Sequence, residues 1–203
     1  MSVEFPEDLQ EAIRFHGHVC PGLVMGYRAA RAAREYLGVE RPEDEELVAI
    51  AESDGCGVDA VQSLLGCTLG KGNLIDRDQG KQAYTLICRK KERAVRVAAR
   101  PGLFDRTPEQ EAAFQKVMGG KADEEETAVF RAFQKERLEW MLEAETEDLF
   151  TLKEVSPQIP GKARIFKSVT CAYCGEPVME PRARIRDGKV ACLDCCENYS
   201  RGW

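Results

Sequence analysis

The residues able to do metal or thiol chemistry in this chain are two histidines and nine cysteines, and all but Cys88 fall into two groups. Both histidines, His16 and His18, lie in FHGHVCPGL, residues 15–23, with Cys20 two positions on and a Pro-Gly turn behind it. Further along, SDGCGVDA brackets Cys56 between glycines, and GCTLGKGN carries Cys67 and Lys71 in a Gly-rich loop. Near the C-terminus, Cys171 and Cys174 stand as CAYC and Cys192 and Cys195 as CLDC, with 17 residues between the pairs.

The C-terminal pattern is the sharper one. Two Cys-x-x-Cys knuckles at this separation make a tetrahedral four-thiolate zinc site, each tight turn supplying two sulfurs. Four sulfurs leave no open coordination position, so the zinc is expected to be structural. RARIRDGKVAC turns at Asp187-Gly188 and reads as the hairpin of a zinc ribbon over residues 168–203. So short a segment buries little core, and the metal would supply much of its folding energy. Two matched pairs argue for coordination over dithiol exchange, and Cys196 reads as a spare thiol beside the second knuckle.

The N-terminal pattern is weaker taken piece by piece. A lone histidine is usually a hydrogen-bonded polar residue, and a lone buried cysteine an inert small one. Position strengthens the case. Cys56 follows an apolar run that reads as a strand and opens a helix, where the dipole favours a thiolate. Cys67 ends that helix. Imidazole and thiolate together suit zinc or another soft divalent metal. From the pattern alone, a second metal site and a purely structural role stand on equal footing.

The elements that must position these residues follow from apolar spacing. Residues 6–37 read as helix, stopping at Gly38. ELVAIAES (46–53) reads as a buried strand, and residues 57–67 as a helix with Val58, Val61, Leu64 and Leu65 on one side. AYTLICRK and RAVRVAAR read as a hairpin turning at KKER. A helix capped by Thr107 with Pro108 behind it comes next, then a longer helix over 123–145 and a last strand from Phe150 to Val155. SPQIPGKARIF connects this α+β core, residues 1–157, to the ribbon. The expected architecture is helices packed on a mixed β-sheet.

Composition bounds the function. Hydrophobic residues at 43% and charged residues at 32% describe a globular chain, and a net charge of −6 disfavours wholesale binding to nucleic acid or an anionic membrane. Basic residues do collect between Lys162 and Lys189, so a nucleic-acid contact by the ribbon stays open. No apolar run reaches the length of a membrane span, and the N-terminus lacks the features of a signal peptide. A cytoplasmic location is expected, where thiols stay reduced.

FHGHVCPGLVMGYRAA, ESDGCGVDAVQSLLGCTLGKGNL and DRDQGKQAYTLICR, in this order, resemble the FmdE family, a component of formylmethanofuran dehydrogenase together with its stand-alone relatives. The resemblance covers roughly residues 8–155, and a zinc ribbon is the appendage of longer members. It implies a homodimer and a metal pocket with candidate ligands His16, His18, Cys20, Cys56 and Cys67, lined by Asp54 and Lys71. Five candidates exceed a tetrahedral set; His18 and Cys56 are the first choices. FmdE accompanies a molybdenum or tungsten enzyme whose redox centres lie on other polypeptides. This chain carries no ferredoxin-like cysteine run and no nucleotide-binding glycine motif.

Two functions are compatible with these features. One is a metal-dependent pocket that binds a small molecule or supports chemistry in one-carbon or molybdoenzyme metabolism. The other is an accessory or regulatory protein whose ribbon docks a protein or nucleic acid. The first is favoured, since pockets with titratable soft ligands tend to be functional. A homodimer whose interface the 123–145 helix and the ribbon help to bury is expected from the helix's apolar face of Val129, Phe130, Phe133, Trp140, Met141 and Leu142.

Overall fold

A computed structural model of the chain describes residues 5–196. It separates into two compact units, residues 1–162 and 163–203. Among the described residues no helix is long and apolar enough to cross a membrane.

The first unit is α+β. It begins with α1 (Glu7–His16) and α2 (Pro21–Leu37), then β1 (Leu47–Ala51), α3 (Gly57–Leu65) and the short β2 (Leu74–Asp76). The hairpin β3 (Ala83–Cys88) and β4 (Arg93–Ala99) follows, then α4 (Pro108–Met118), α5 (Glu124–Glu143), the single turn α6 (Thr146–Leu149) and β5 (Phe150–Val155). The sheet runs β2-β1-β3-β4-β5. Only β1 and β2 are parallel, with Ala49 opposite Leu74 and Ala51 opposite Asp76; all other pairs are antiparallel. The expected mixed sheet is therefore present, with β2 an element that apolar spacing does not announce.

Alternation along the strands sorts the two faces. Leu47, Ala49 and Ala51 of β1, with Leu86, Val95 and Val97, pack against Leu23, Met25, Tyr27, Val61 and Leu65 of the helices. Val48, Ile50, Ile87 and Ala94 make a smaller cluster on the reverse face. Glu52 and Arg96 meet on that face through two charge-assisted bonds of 2.7 Å each. Buried Asn73 pins the start of β2: its amide donates to Leu47 O at 3.0 Å and its oxygen accepts from Thr68 N at 2.9 Å.

Helix α4 has the expected Thr107 cap, completed as a capping box by Gln110; Asp123 and Glu126 form the same box on α5. α5 lacks a basic residue in its last turn. Arg28 of α2 fills that role, donating to Leu142 O at 2.8 Å and to Met141 and Ala144 carbonyls. Of the apolar face assigned to this helix only Met141 is buried, while Val129 and Trp140 are exposed.

Among its described residues the second unit holds two antiparallel hairpins and a 3-10 turn over Glu180–Arg182. β6 (Ser168–Thr170) pairs with β7 (Pro177–Met179), and β8 (Arg184–Arg186) with β9 (Lys189–Ala191). Asp187 and Gly188, at φ 49° and 73°, form the tight turn of the second hairpin at the expected place.

Candidate metal centre

The stretch read as helical, residues 6–37, is two helices, α1 and α2, with a break over residues 17–20. Gly17 takes φ +97° and closes α1 with its N–H on Ile13 O at 2.7 Å, a conformation that glycine adopts without strain. Cys20 is extended and caps α2, accepting from Leu23 N at 3.4 Å, with Pro21 at the first helical position. The histidine and cysteine motif occupies the break.

Three glycines bring that break to Cys56. A Cβ placed on Gly26 would lie 2.2 Å from Gly57 O, and one on Gly57 would lie 3.0 Å from Gly26 Cα. Backbone rests on backbone where α2 crosses the start of α3. One turn earlier, a Cβ on Gly22 would meet Cys56 Cβ at 3.3 Å. Bare glycines at these points set Cys20 and Cys56 side by side.

His16, Cys20 and Cys56 thus each offer a donor atom within 4.8 Å of the others. His16 is oriented by Asp59, whose carboxylate lies 2.7 Å from Nδ1, leaving Nε2 toward Cys20 Sγ at 3.9 Å. Asp59 in turn accepts from Gln62 at 3.4 Å. A carboxylate behind a ligating imidazole fixes the tautomer and raises its basicity. Burial pushes the Cys20 thiol up, the Leu23 amide opposes this and neighbouring Cys56 adds to the rise. A bound divalent cation would reverse that balance by stabilising both thiolates.

Beside the three donors lies a cavity of about 450 Å³. It is lined by Ala51 at the carboxyl end of β1, by Ser53 just beyond that strand, by Leu74 and Asp76 of β2, and by the start of α3. Crevices at the carboxyl ends of parallel strands are habitual ligand sites. The buried hydroxyls of Tyr84 and Ser53 are neighbours, and neither makes a close hydrogen bond elsewhere among the described residues. Burial raises the Tyr84 phenol to about 12, with Ser53 near enough to temper the rise.

The remaining candidates fall in different places. Asp54 lines the cavity. His18 is exposed, its ring 4.5 Å from that of His16 and outside the donor group. Cys67 is fully buried in the core with its thiol toward Leu65 O at 3.8 Å, pushed up to about 12 by burial. Lys71 reaches the Glu43 carbonyl at 3.5 Å and does not line the cavity. Asp59 is not among the sequence-based candidates, because an acid in the first turn of a helix reads as a match for the dipole; Cys56-x-x-Asp59, one helical turn, is the signal that could have found it.

In the second unit the sulfurs of Cys171, Cys174, Cys192 and Cys195 lie within 4.8 Å of one another. Amides of Cys174, Cys192 and Tyr173 bring the Cys171 thiol down to about 6, whereas the hydrogen bond with Cys192 pushes Cys195 up to about 12. Sulfurs competing for protons at such range are a donor set suited to a divalent ion, and the quartet fits a structural zinc.

Comparison with known proteins agrees with this layout. Residues 15–151 match the family model FmdE, Molybdenum formylmethanofuran dehydrogenase operon, and residues 164–201 match the prokaryotic dksA/traR C4-type zinc finger. A probable S-adenosyl-L-methionine-binding protein of Archaeoglobus fulgidus is 36% identical over 197 residues. That alignment takes in 94% of this chain and 53% of the relative, so the chain spans about half the relative's length. The crystal structure of a tungsten formylmethanofuran dehydrogenase FmdE-like protein from Syntrophus aciditrophicus superimposes with a TM-score of 0.60 at 26% identity, covering 93% of this chain and 90% of that one. With its metal-donor group inside the matched region and its four-cysteine unit after it, the chain belongs to the FmdE family and carries a C-terminal C4 zinc finger.

Proposed function

We propose that the first unit is a metal-dependent small-molecule pocket, in which His16, Cys20 and Cys56 hold a soft divalent ion, zinc first among them. The observation that carries this reading is the convergence of three donors at the edge of a 450 Å³ cavity, with His16 oriented by Asp59. Two thiolates and one imidazole leave a tetrahedral ion one position, the pattern of catalytic rather than structural zinc. A water or a ligand carbonyl or thiol would take that position from the cavity, with Asp54 in its wall. His18, Cys67 and Lys71 stand outside this ligand set.

Family membership supports a setting in one-carbon or molybdoenzyme metabolism, with a molybdenum or tungsten enzyme as the partner to test. The name of the archaeal relative adds S-adenosyl-L-methionine as a ligand to try. Metal analysis of the full chain decides the central point. The double change His16→Ala and Cys56→Ala should remove one ion per chain and leave the ribbon zinc; unchanged metal content overturns the reading. Calorimetric titration with S-adenosyl-L-methionine then tests the ligand.

A second reading, docking of a partner protein by the ribbon, is favoured by the exposure of Ile185, Tyr173 and Leu193. Nucleic acid is the poorer occupant. Arg164, Lys167, Arg182, Arg184, Arg186 and Lys189 are offset by Glu176, Glu180, Asp187 and Asp194 and by the double negative charge of a zinc tetrathiolate. The half-exposed faces of α4 and α5, where Phe114 and Phe130 meet at 6.1 Å, suit a homodimer. Sedimentation equilibrium should give twice the 22.7 kDa chain mass.

A further inference from the structure

The group around His16 holds the parts of a second chemistry, one that needs no ion. Cys56 is exposed, stands in the wall of the cavity and opens α3. Cys20 is half-buried and does not line the cavity. The two sulfurs lie within 4.8 Å of each other. Next to Cys20 stands a base with its own orienting acid. His16 Nε2 is 3.9 Å from Cys20 Sγ, and Asp59 Oδ2 is 2.7 Å from His16 Nδ1. A thiol, a base in reach of it and a third group that fixes the base are the parts of an activated nucleophile.

The surroundings single out this pair. Cys67 and Cys88 are buried, and the four ribbon cysteines form a separate quartet. Two thiols close as a disulfide at about 2.05 Å, so Cys20 and Cys56 must turn toward each other. Gly22 leaves room for that turn. A Cβ built on it would sit 3.9 Å from both sulfurs and 3.3 Å from Cys56 Cβ, so a larger residue would crowd the space the sulfurs cross. Each cysteine caps a helix, Cys20 on α2 and Cys56 on α3, so the two backbones are held while the side chains move. In front of Cys56 the cavity offers apolar walls from Val58, Leu69 and Leu74 and a volume of about 450 Å³, enough for a small uncharged molecule.

We propose that Cys20 and Cys56, when no ion is bound, reduce low-molecular-weight disulfides by thiol–disulfide exchange. Cys56 Sγ attacks one sulfur of the substrate, the substrate's S–S bond breaks, and the first thiol leaves with the Cys56 proton. Cys20 passes its proton to His16 Nε2 and attacks Cys56 Sγ. The mixed disulfide breaks, and the second thiol leaves with that proton. Two electrons and two protons go from the cysteine pair to the substrate, which becomes two thiols, and the protein keeps one disulfide. The same sulfurs cannot hold an ion while they are joined, so metal and exchange exclude each other. The inference goes beyond the metal reading and does not require it.

The test uses the full chain dialysed against a mild chelator, with metal content measured on every sample, and hydroxyethyl disulfide as the probe. Alkylation, digestion and mass spectrometry should find one Cys20–Cys56 link per chain and two mercaptoethanol molecules released. Cys20→Ser should stop at a mixed disulfide on Cys56 with one released, and Cys56→Ser should form no link. Asp59→Asn should leave the first release unchanged and slow the second at least about tenfold, so that the mixed disulfide accumulates; a merely structural role would not split the two steps. A mixed disulfide that never resolves in the unaltered chain, links through other cysteines, or no reaction overturns the inference. A parallel sample is loaded with zinc. Zinc bound at the first unit, with no link formed in the metal-free chain, defeats this inference and leaves the metal reading standing. A link formed equally with and without added zinc, with no ion retained at the first unit, defeats the metal reading alone.

Discussion

Asp59 Oδ2 lies 2.7 Å from His16 Nδ1, a contact between residues 43 positions apart that turns Nε2 of the ring toward Cys20 and Cys56. The first turn of α3 thereby supplies both a thiol donor and the carboxylate that orients the imidazole. Asp59→Asn keeps the shape and loses the charge. It should weaken metal binding at the first unit by about 10–100-fold while leaving secondary structure unchanged. A zinc competition titration with a chromophoric chelator reads the shift.

The two histidines should separate cleanly. His16→Ala is expected to cost the first unit its metal, and His18→Ala to retain it, because His18 is exposed and outside the donor group. Elemental analysis after dialysis distinguishes them. Equal loss in both would mean that His18 swings in to ligate.

Gly26→Ala places a methyl where the Gly57 carbonyl already sits, 2.2 Å away, so α2 and α3 must move apart. A cost of about 3 kcal/mol is expected. Urea unfolding should show it as a lower midpoint with an unchanged slope.

The pair of Glu52 and Arg96 predicts an acid limb of stability. The hydrogen bonds from Arg96 hold the Glu52 carboxyl below its ordinary value of 4.5, against the opposing effect of burial. A carboxyl depressed in the folded state contributes stability above its unfolded pKa, and loses it as pH falls through the lower folded value. Glu52→Gln should cost roughly 2 kcal/mol at pH 7 and flatten the loss below about pH 4.5. Urea midpoints measured from pH 7 to pH 3 test both parts.

In the second unit, Cys192→Ser should abolish zinc binding and unfold the ribbon by itself. Hydrogen exchange would then show lost protection over residues 168–196, with β1, β3 and β4 still protected.

What was legible in the sequence was whatever repeats or alternates. The β3–β4 hairpin, the strand over 47–51 and the ribbon turn at Asp187-Gly188 follow from spacing and turn chemistry alone. The break between α1 and α2 was signalled by Gly17 and the Pro-Gly turn at 21–22, although the apolar positions keep helical step on both sides. β2 has three residues, too few to show alternation, and is held by Asn73 and by β1 rather than by its own propensity. The donor set was half legible. His16 and His18 look equivalent in a His-x-His motif, and only the left-handed Gly17 between them sends one toward Cys56 and the other to solvent. Cys67 also follows a glycine, yet it lies just past the far end of α3, inside the core.

The crossing of α2 on α3 at Gly22, Gly26 and Gly57 has a consequence for how the two metals would arrive. Contacts made by main chain have no rotamers to search, so docking of the two helices alone brings Cys20 and Cys56 into register. An ion held by His16, Cys20 and Cys56, as proposed, would then enter a preformed cradle. It should exchange at a rate set by ligand substitution and leave the protein's thermal transition only modestly altered when withdrawn. The ribbon zinc enters a segment with little core of its own, so its departure and the loss of structure are one event. A single chelator titration should therefore trace two clocks in one chain, a fast optical loss without unfolding and a slow one that keeps pace with it.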